Sequence, residues 1–224
     1  MTGRETTVAL NDAEFFRSLS PQEFAWAAQR ATKRMFYPRR RLFSDGQPAH
    51  HLWVVERGIV RLFKSSEKGQ VTTFETLGPG EMFGLWSAAP DEVYAGNAEG
   101  MGEGGVWRLP KAAVQQLVGR APGLAAEMVQ VIADRLRDAH DRLLSFAYDA
   151  VPVRLAGALL RAGDGETAQV TRRVLAEASG TTVETAIRVL RRFEKDGLIR
   201  GEVGAIHILD AKRLTEIAGR TRAV

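Results

Sequence analysis

At 224 residues, with 45% hydrophobic and 26% charged side chains, the chain has the composition of an ordinary globular protein, long enough for two modest domains that each bury a core. The absence of cysteine excludes disulfides, thiolate metal sites, cysteine nucleophiles and cysteine-ligated iron–sulfur clusters. The net charge of +4 is unevenly placed: residues 1–149 carry 18 basic and 18 acidic side chains, and residues 150–224 carry 13 and 9, so the surplus that would suit a polyanion is all C-terminal.

The opening MTGRETTVALND is polar, and no apolar run reaches the length of a bilayer span, so a cytoplasmic location without a membrane partner is expected. Residues 11–37 read as short helical pieces, one capped by Asn11 or Asp12 and running to Leu19, the next opened by Ser20-Pro21. From Arg41 to about Arg108 short apolar strands alternate with Asp45-Gly46, Arg57-Gly58, Lys68-Gly69 and Gly78-Pro79-Gly80, the texture of a small antiparallel roll or barrel. His51–Val55 and Gly58–Phe63 read as a strand pair, with Val71–Leu77 as a third strand. Gly100, Gly102, Gly104 and Gly105 fall where β-branched residues would strengthen a strand, which predicts a loose sheet at that place.

Ala112–Leu117 reads as a short helix and Pro122 opens a longer one. Across Leu124–Tyr148 the apolar residues Met128, Ile132, Leu136, Ala139, Leu143 and Phe146 recur in steps of four, four, three, four and three. That near-heptad stripe, with mixed charges from Asp134 to Arg142 covering the rest, suits a helix packing on a second copy of itself better than the alternative, a helix buried on its own domain. Asp149-Ala150-Val151-Pro152 marks a hinge, Val153–Leu160 another amphipathic helix, and Gly163-Asp164-Gly165 its end. These breaks divide the chain into a first domain (1–121), a long helix with its hinge (122–149) and a third domain (150–224).

The segment 171–200, TRRVLAEASGTTVETAIRVLRRFEKDGLIR, has the layout of a helix-turn-helix. Leu175, Ala176 and Ala178 pack one helix inward, Gly180 serves the turn, and Thr181 or Thr182 caps the next helix. In that helix Ala186, Val189, Leu190 and Phe193 form one apolar face, leaving Val183, Glu184, Ile187 and Arg188 outward, followed by Arg191, Arg192 and Lys195. Such a surface joins base-edge readers to phosphate-seeking cations, with Thr171 and Thr182 at the two helix starts completing the DNA-facing set. The bland alternative is a solvated amphipathic helix, but an outward Ile187 between Glu184 and Arg188 serves solvation poorly. Gly201-Glu202-Val203-Gly204 reads as a hairpin turn leading into Ala205–Leu209, a wing; Asp210–Gly219 closes with a helix, and Thr221–Val224 is a frayed end.

The order FSDGQPAHHLWVVERGIVRLFKSSEKGQVTTFETLGPGEMFG, followed at the right distance by the helix-turn-helix, resembles the CRP/FNR transcription regulators over about residues 11–217. The resemblance implies an α+β architecture: an N-terminal antiparallel β-roll of the cyclic-nucleotide-binding type (a double-stranded β-helix), a long dimerisation helix and a C-terminal winged helix-turn-helix. It also implies a homodimer on double-stranded DNA, with RNA polymerase as a further partner if the protein activates. In the family a Glu and an Arg four residues later read a TGA-like half-site; the matching positions are Glu184 and Arg188, while Val183 and Ile187 depart from the family's further Arg and Ser.

Nucleotide-binding members hold the cyclic phosphate with a Gly-Glu turn and, about ten residues on, an Arg-Ser pair. Gly84 is kept, but the match puts Leu85 at the Glu and Tyr94-Ala95 at the Arg-Ser, so both decisive side chains are absent. Asp91, Glu92 and Glu99, with no cation in the loop, would repel a phosphate, and no binding of cyclic AMP in the usual manner is expected. Two readings of this effector pocket stand open: a site altered for another ligand, or a vestigial sensor. No cofactor is assigned. A haem on His50 or His51 is the lesser alternative, since the four histidines lack paired metal-site spacing and a lone histidine is more often a satisfied structural residue. That alternative would make the chain a ligand sensor acting mainly through protein partners. No catalytic constellation supports an enzyme.

Overall fold

The computed structural model describes residues 10, 13, 16–38, 40–84, 92–163 and 166–219. The expected caps at Asn11 and Asp12, Leu85, Asp91, Asp164-Gly165 and the terminal Thr221–Val224 lie outside them. The chain divides into two compact units, Met1–Lys64 with Leu77–Leu136, and Ser65–Thr76 with Arg137–Val224.

Helix α1 (Pro21–Ala28) begins at a capping box: the Ser20 hydroxyl accepts from the Glu23 backbone N–H at 3.3 Å, and the Glu23 carboxylate accepts from the Ser20 N–H at 2.8 Å. The helical pieces expected through residue 37 do not continue past it: the segment after it is an edge strand, β1 (Thr32–Phe36). Four of its five residues are exposed, so the apolar alternation that marks a half-buried strand is missing from TKRMF. The roll continues through β2 (Arg41–Phe43), β3 (His51–Arg57), β4 (Val60–Ser65), β5 (Val71–Leu77), β6 (Met82–Phe83), β7 (Asn97–Gly100) and β8 (Gly104–Pro110).

These strands form two antiparallel sheets, β1-β8-β3-β6 and β2-β7-β4-β5. The expected pairing of His51–Val55 with Gly58–Phe63 is therefore absent: β3 lies between β8 and β6, β4 beside β7, in different sheets. Gly58 makes the crossing. It sits at φ 78°, and a Cβ there would stand 2.8 Å from the Glu103 carbonyl oxygen.

The glycine-rich stretch across β7 and β8 is likewise not loose. A Cβ on Gly100 or Gly104 would lie 2.0 or 2.2 Å from the ring of Phe36, and one on Gly105 would lie 2.3 Å from the Glu56 carboxylate. The missing side chains form the trough that buries Phe36 to 1% exposure. Leu52, Val54 and Leu109 then pack with Phe16, Val114, Leu117 and Leu124 into the core of this unit.

Helix α2 (Lys111–Arg120) is separated by Ala121 alone from the 27-residue α3 (Pro122–Tyr148). Of the expected stripe on α3, Ile132, Leu136, Ala139, Leu143 and Phe146 are exposed and Met128 is half-buried, with Val129, Leu144 and Tyr148 exposed as well. After Asp149-Ala150 the chain enters α4 (Val151–Ala162), β9 (Thr167–Ala168), α5 (Arg172–Ala178), α6 (Val183–Lys195), β10 (Ile199–Glu202), β11 (Ala205–Ile208) and α7 (Ala211–Ile217). Leu155 and Leu159 of α4, Leu175 of α5, Leu190 and Phe193 of α6 and Leu214 of α7 are buried here, and β10-β11-β9 make a small antiparallel sheet. No helix among the described residues is long and apolar enough to cross a membrane.

Candidate nucleic-acid interface and roll interior

The turn between α5 and α6 is closed by Gly180 at φ 56°. Its missing Cβ would stand 2.6 Å from the Phe146 ring, so glycine is needed there for backbone and for space. Of the two candidate caps, Thr182 is used: its hydroxyl accepts from the Thr185 N–H at 3.2 Å, satisfying one of the free donors of α6. Thr171 does the same for α5, accepting from Val174 N–H at 3.3 Å. Ala186, Leu190 and Phe193 are buried, while Val189 is half-buried.

Outward from that face, Glu184 and Arg188 are exposed one turn apart, with Arg191, Arg192 and Lys195 beyond them. Glu184 in the first turn complements the helix dipole. Val183 and Ile187, expected to be outward, are half-buried at the margin. A residue not foreseen completes the arrangement: the Thr185 hydroxyl accepts from Arg188 Nη2 at 3.4 Å and from the Thr182 hydroxyl at 3.2 Å. The guanidinium thus rests on a hydroxyl rather than on a carboxylate, which leaves its charge available to a base edge. Arg192 stands 3.8 Å from Asp196 with its side chain 80% exposed, a pair weak enough to be exchanged for a phosphate.

Two further groups brace this surface. Glu194 Oε1 accepts from the Gly201 N–H at 3.0 Å and from Arg172 Nη2 at 3.4 Å, joining α6 to the wing and to the start of α5. Arg154 on α4 spreads its guanidinium over three carbonyl oxygens, donating from Nε to Ser179 at 2.9 Å, from Nη1 to Asp149 at 3.0 Å and from Nη2 to Gly180 at 3.5 Å, with Phe146 5.6 Å away. Phe146, expected in the α3 stripe, thus has its ring on the helix-turn-helix turn. Neither brace has a sequence signature, because both answer carbonyls or backbone N–H groups that only the fold assembles. The wing turn is Val203-Gly204, with Val203 fully exposed. His207 lies 2.8 Å from Glu202 and 3.1 Å from the Thr167 hydroxyl, and its hydrogen bond holds the Glu202 carboxyl below the ordinary range.

In the roll, two of the acidic residues expected to repel an anion, Glu92 and Glu99, are countered from outside the loop, by the first residue of α2 and by β4. Glu92 pairs with Lys111 at 3.1 Å and Glu99 with Arg61 at 2.7 Å, Arg61 and Glu99 being direct cross-strand partners. Both cations lie outside the loop, where a count of charges along it does not reach. Of the four pocket candidates, Gly84 and Tyr94 come together. Gly84, at φ 84°, leaves a gap that a Cβ would close, at 2.6 Å from Trp53, 3.2 Å from Tyr94 and 3.3 Å from Phe43. Tyr94 is 4% exposed, while Ala95 beside it is exposed. The half-buried His51 ring lies 5.9 Å from that of Trp53. Burial chiefly, then Arg108 and His50, lowers its pKa. Among the described residues no group of three or more His, Cys, Asp or Glu is placed to hold a metal ion.

Two family models match the chain, a cyclic nucleotide-binding domain at residues 33–121 and a Crp-like helix-turn-helix domain at residues 153–217. The chain is 30% identical over 212 residues to the cyclic AMP receptor protein of Thermus thermophilus, covering 93% of this chain and 98% of that one. It is 28% identical over 190 residues to the transcriptional activator protein anr of Pseudomonas aeruginosa, covering 80% and 77%. Among solved structures, FixK2 from Bradyrhizobium japonicum superposes with a TM-score of 0.75 at 23% identity, over 84% of this chain and 96% of that one, a likeness of fold. With both halves matched in order and a 30% identical relative covered almost end to end, this chain belongs to the CRP/FNR family of transcription regulators.

Proposed function

We propose that the protein works as a homodimer that reads a near-palindromic, TGA-like DNA site without needing cyclic AMP. The observation carrying the reading is the start of α6, where Glu184 and the Thr185-supported Arg188 stand exposed on adjacent turns while Ala186 and Leu190 anchor the helix from behind. Arg188 would donate to O6 and N7 of a guanine and Glu184 would accept from a cytosine N4 amine; Arg191 and Arg192 would seat the helix on phosphates. Val183 and Ile187, half-buried at the edge of this surface, would offer apolar contact to a thymine methyl.

Dimerisation would use the exposed Ile132, Leu136 and Leu143 of α3, with two recognition helices entering successive major grooves about 34 Å apart. RNA polymerase is the further partner if the regulator activates. Independence from cyclic AMP is supported by the loss of the phosphate-binding Arg and Glu, although several similar proteins are named for cyclic AMP. The test is fluorescence anisotropy on a labelled duplex with two TGA-like half-sites, beside one with a scrambled half-site, each with and without cyclic AMP. Preference for the intact palindrome, unchanged by the nucleotide, is expected. Equal binding to both duplexes would end the DNA-site reading, and binding that appears only with cyclic AMP would end the claim of independence.

A further inference from the structure

The interior of the roll holds an aromatic chamber made by Phe43 of β2, Trp53 of β3 and Phe83 of β6. Phe43 lies 5.9 Å from Trp53 and 6.0 Å from Phe83, and Trp53 stacks on Phe83 at 6.1 Å. Tyr94 enters it as a guest would. Its ring lies 3.7 Å from that of Phe43 with only 12° between the planes. Its hydroxyl accepts from Trp53 Nε1 at 3.0 Å and donates to the His51 carbonyl oxygen at 3.3 Å. One buried donor and one part-buried acceptor thus converge on a single point at the end of a flat apolar slot, which is the complement of a phenol.

Tyr94 is not a passing visitor. Its backbone N–H donates to the Gln47 carbonyl and its carbonyl accepts from Gly46 N–H, both at 2.9 Å, and Val93 bridges Pro48. Two residues earlier, the Glu92 carboxylate pairs with Lys111, the first residue of α2, whose own N–H donates to the His50 carbonyl at 2.8 Å. Because α2 passes through Ala121 alone into α3, the guest is tied by short links to the helix expected to set the dimer.

We infer that this chamber is a phenol-binding site occupied by the chain's own Tyr94, and that the built-in guest holds the DNA-competent state without a small molecule. The inference rests on the proposed DNA function for its readout, but the chamber can be tested apart from it. In Tyr94→Ala the Trp53 N–H and the His51 carbonyl lose their partner and a ring-sized void opens, a site of the kind that takes up free aromatic molecules.

The probe is p-cresol, the side chain of tyrosine as a free molecule. Calorimetry should show saturable binding of p-cresol to Tyr94→Ala and none to the wild type, with a rise in the melting temperature of the variant alone. On the palindromic duplex, Tyr94→Ala should bind on the order of tenfold more weakly than wild type and recover when p-cresol is added. Tyr94→Phe, which keeps the ring and leaves Trp53 Nε1 unpaired, should bind DNA several-fold more weakly and not respond to p-cresol.

Failure of p-cresol to bind or stabilise Tyr94→Ala would overturn the site. Wild-type DNA affinity in both variants would overturn the guest's role in competence. If Tyr94→Ala does not fold without p-cresol, the Tyr94→Phe measurement decides that role. If the wild type ignores the duplex, the DNA reading has failed, and the calorimetry still judges the chamber.

Discussion

At the scale of single residues, specificity should concentrate in Arg188 and the hydroxyl beneath it. Arg188→Ala should cost about 1–3 kcal/mol on the intact palindrome and relax one base position, as measured by anisotropy across a set of single-base variants. Thr185→Val keeps the side chain's shape but removes the support at 3.4 Å, so it should lower discrimination while leaving binding to random duplex unchanged. Burial chiefly raises the pKa of the Tyr94 phenol above its ordinary value of 10.0, against the hydrogen bond from Trp53. The stability linked to the neutral phenol is therefore complete below the unfolded-state value and is lost as pH climbs through the raised one. Chemical denaturation should show wild-type stability falling above about pH 10 by a component that Tyr94→Phe lacks.

The outward placement of Glu184 and Arg188 could be read from spacing, because the buried positions of a helix fix which ones face out, while their choice over Val183 and Ile187 came from the family resemblance. Tyr94 could not. What it does depends on Phe43, Trp53 and His51, brought from distant strands, and in the sequence it registered only as the absence of an arginine.

At the scale of elements, cations on α6 beyond the reading residues should act without regard to sequence. Arg191→Ala should weaken specific and random duplexes alike and reduce the slope of log affinity against log salt by about one. A titration in salt at fixed duplex would show it, and a loss confined to the palindrome would assign Arg191 to base reading instead. The helix-turn-helix, wing and long α3 were legible because each carries its own signal: an apolar stripe, a capping threonine or a glycine at the turn. The roll was legible only as a texture of strands and turns. Its sheet assignment depends on Gly58, where the chain changes sheets, and on a trough of glycines built around Phe36; both are contacts between distant residues, and neither disturbs the local pattern. Strand β1 escaped notice for the opposite reason, since an exposed edge needs no alternation.

For the whole molecule, the proposed two-fold symmetry is the property that would turn two modest helices into a selective reader. Leu143, 66% exposed on α3, has no reason to be apolar in a monomer of this design. Leu143→Asp should shift sedimentation toward the monomer and abolish the preference for two half-sites over one, leaving the melting of the winged domain little changed. A dimer that survives this substitution would move the interface off the stripe. The C-terminal placement of the entire net charge, visible from composition, belongs to this scale too, since it puts the attraction for a polyanion in the part that holds the helix-turn-helix.

The Arg154 guanidinium holds the carbonyl oxygens of Asp149, at the end of α3, and of Ser179 and Gly180, in the turn before α6. A planar five-donor fork can fix three acceptors in direction as well as distance, which a lysine ammonium cannot. In a dimer this makes one side chain a ruler, because the angle it sets between α3 and the turn, copied by symmetry, becomes the distance between the two half-sites. Arg154→Lys should therefore tolerate a palindrome lengthened or shortened by one base pair better than the wild type does, with a smaller affinity gap between the correct and altered spacings.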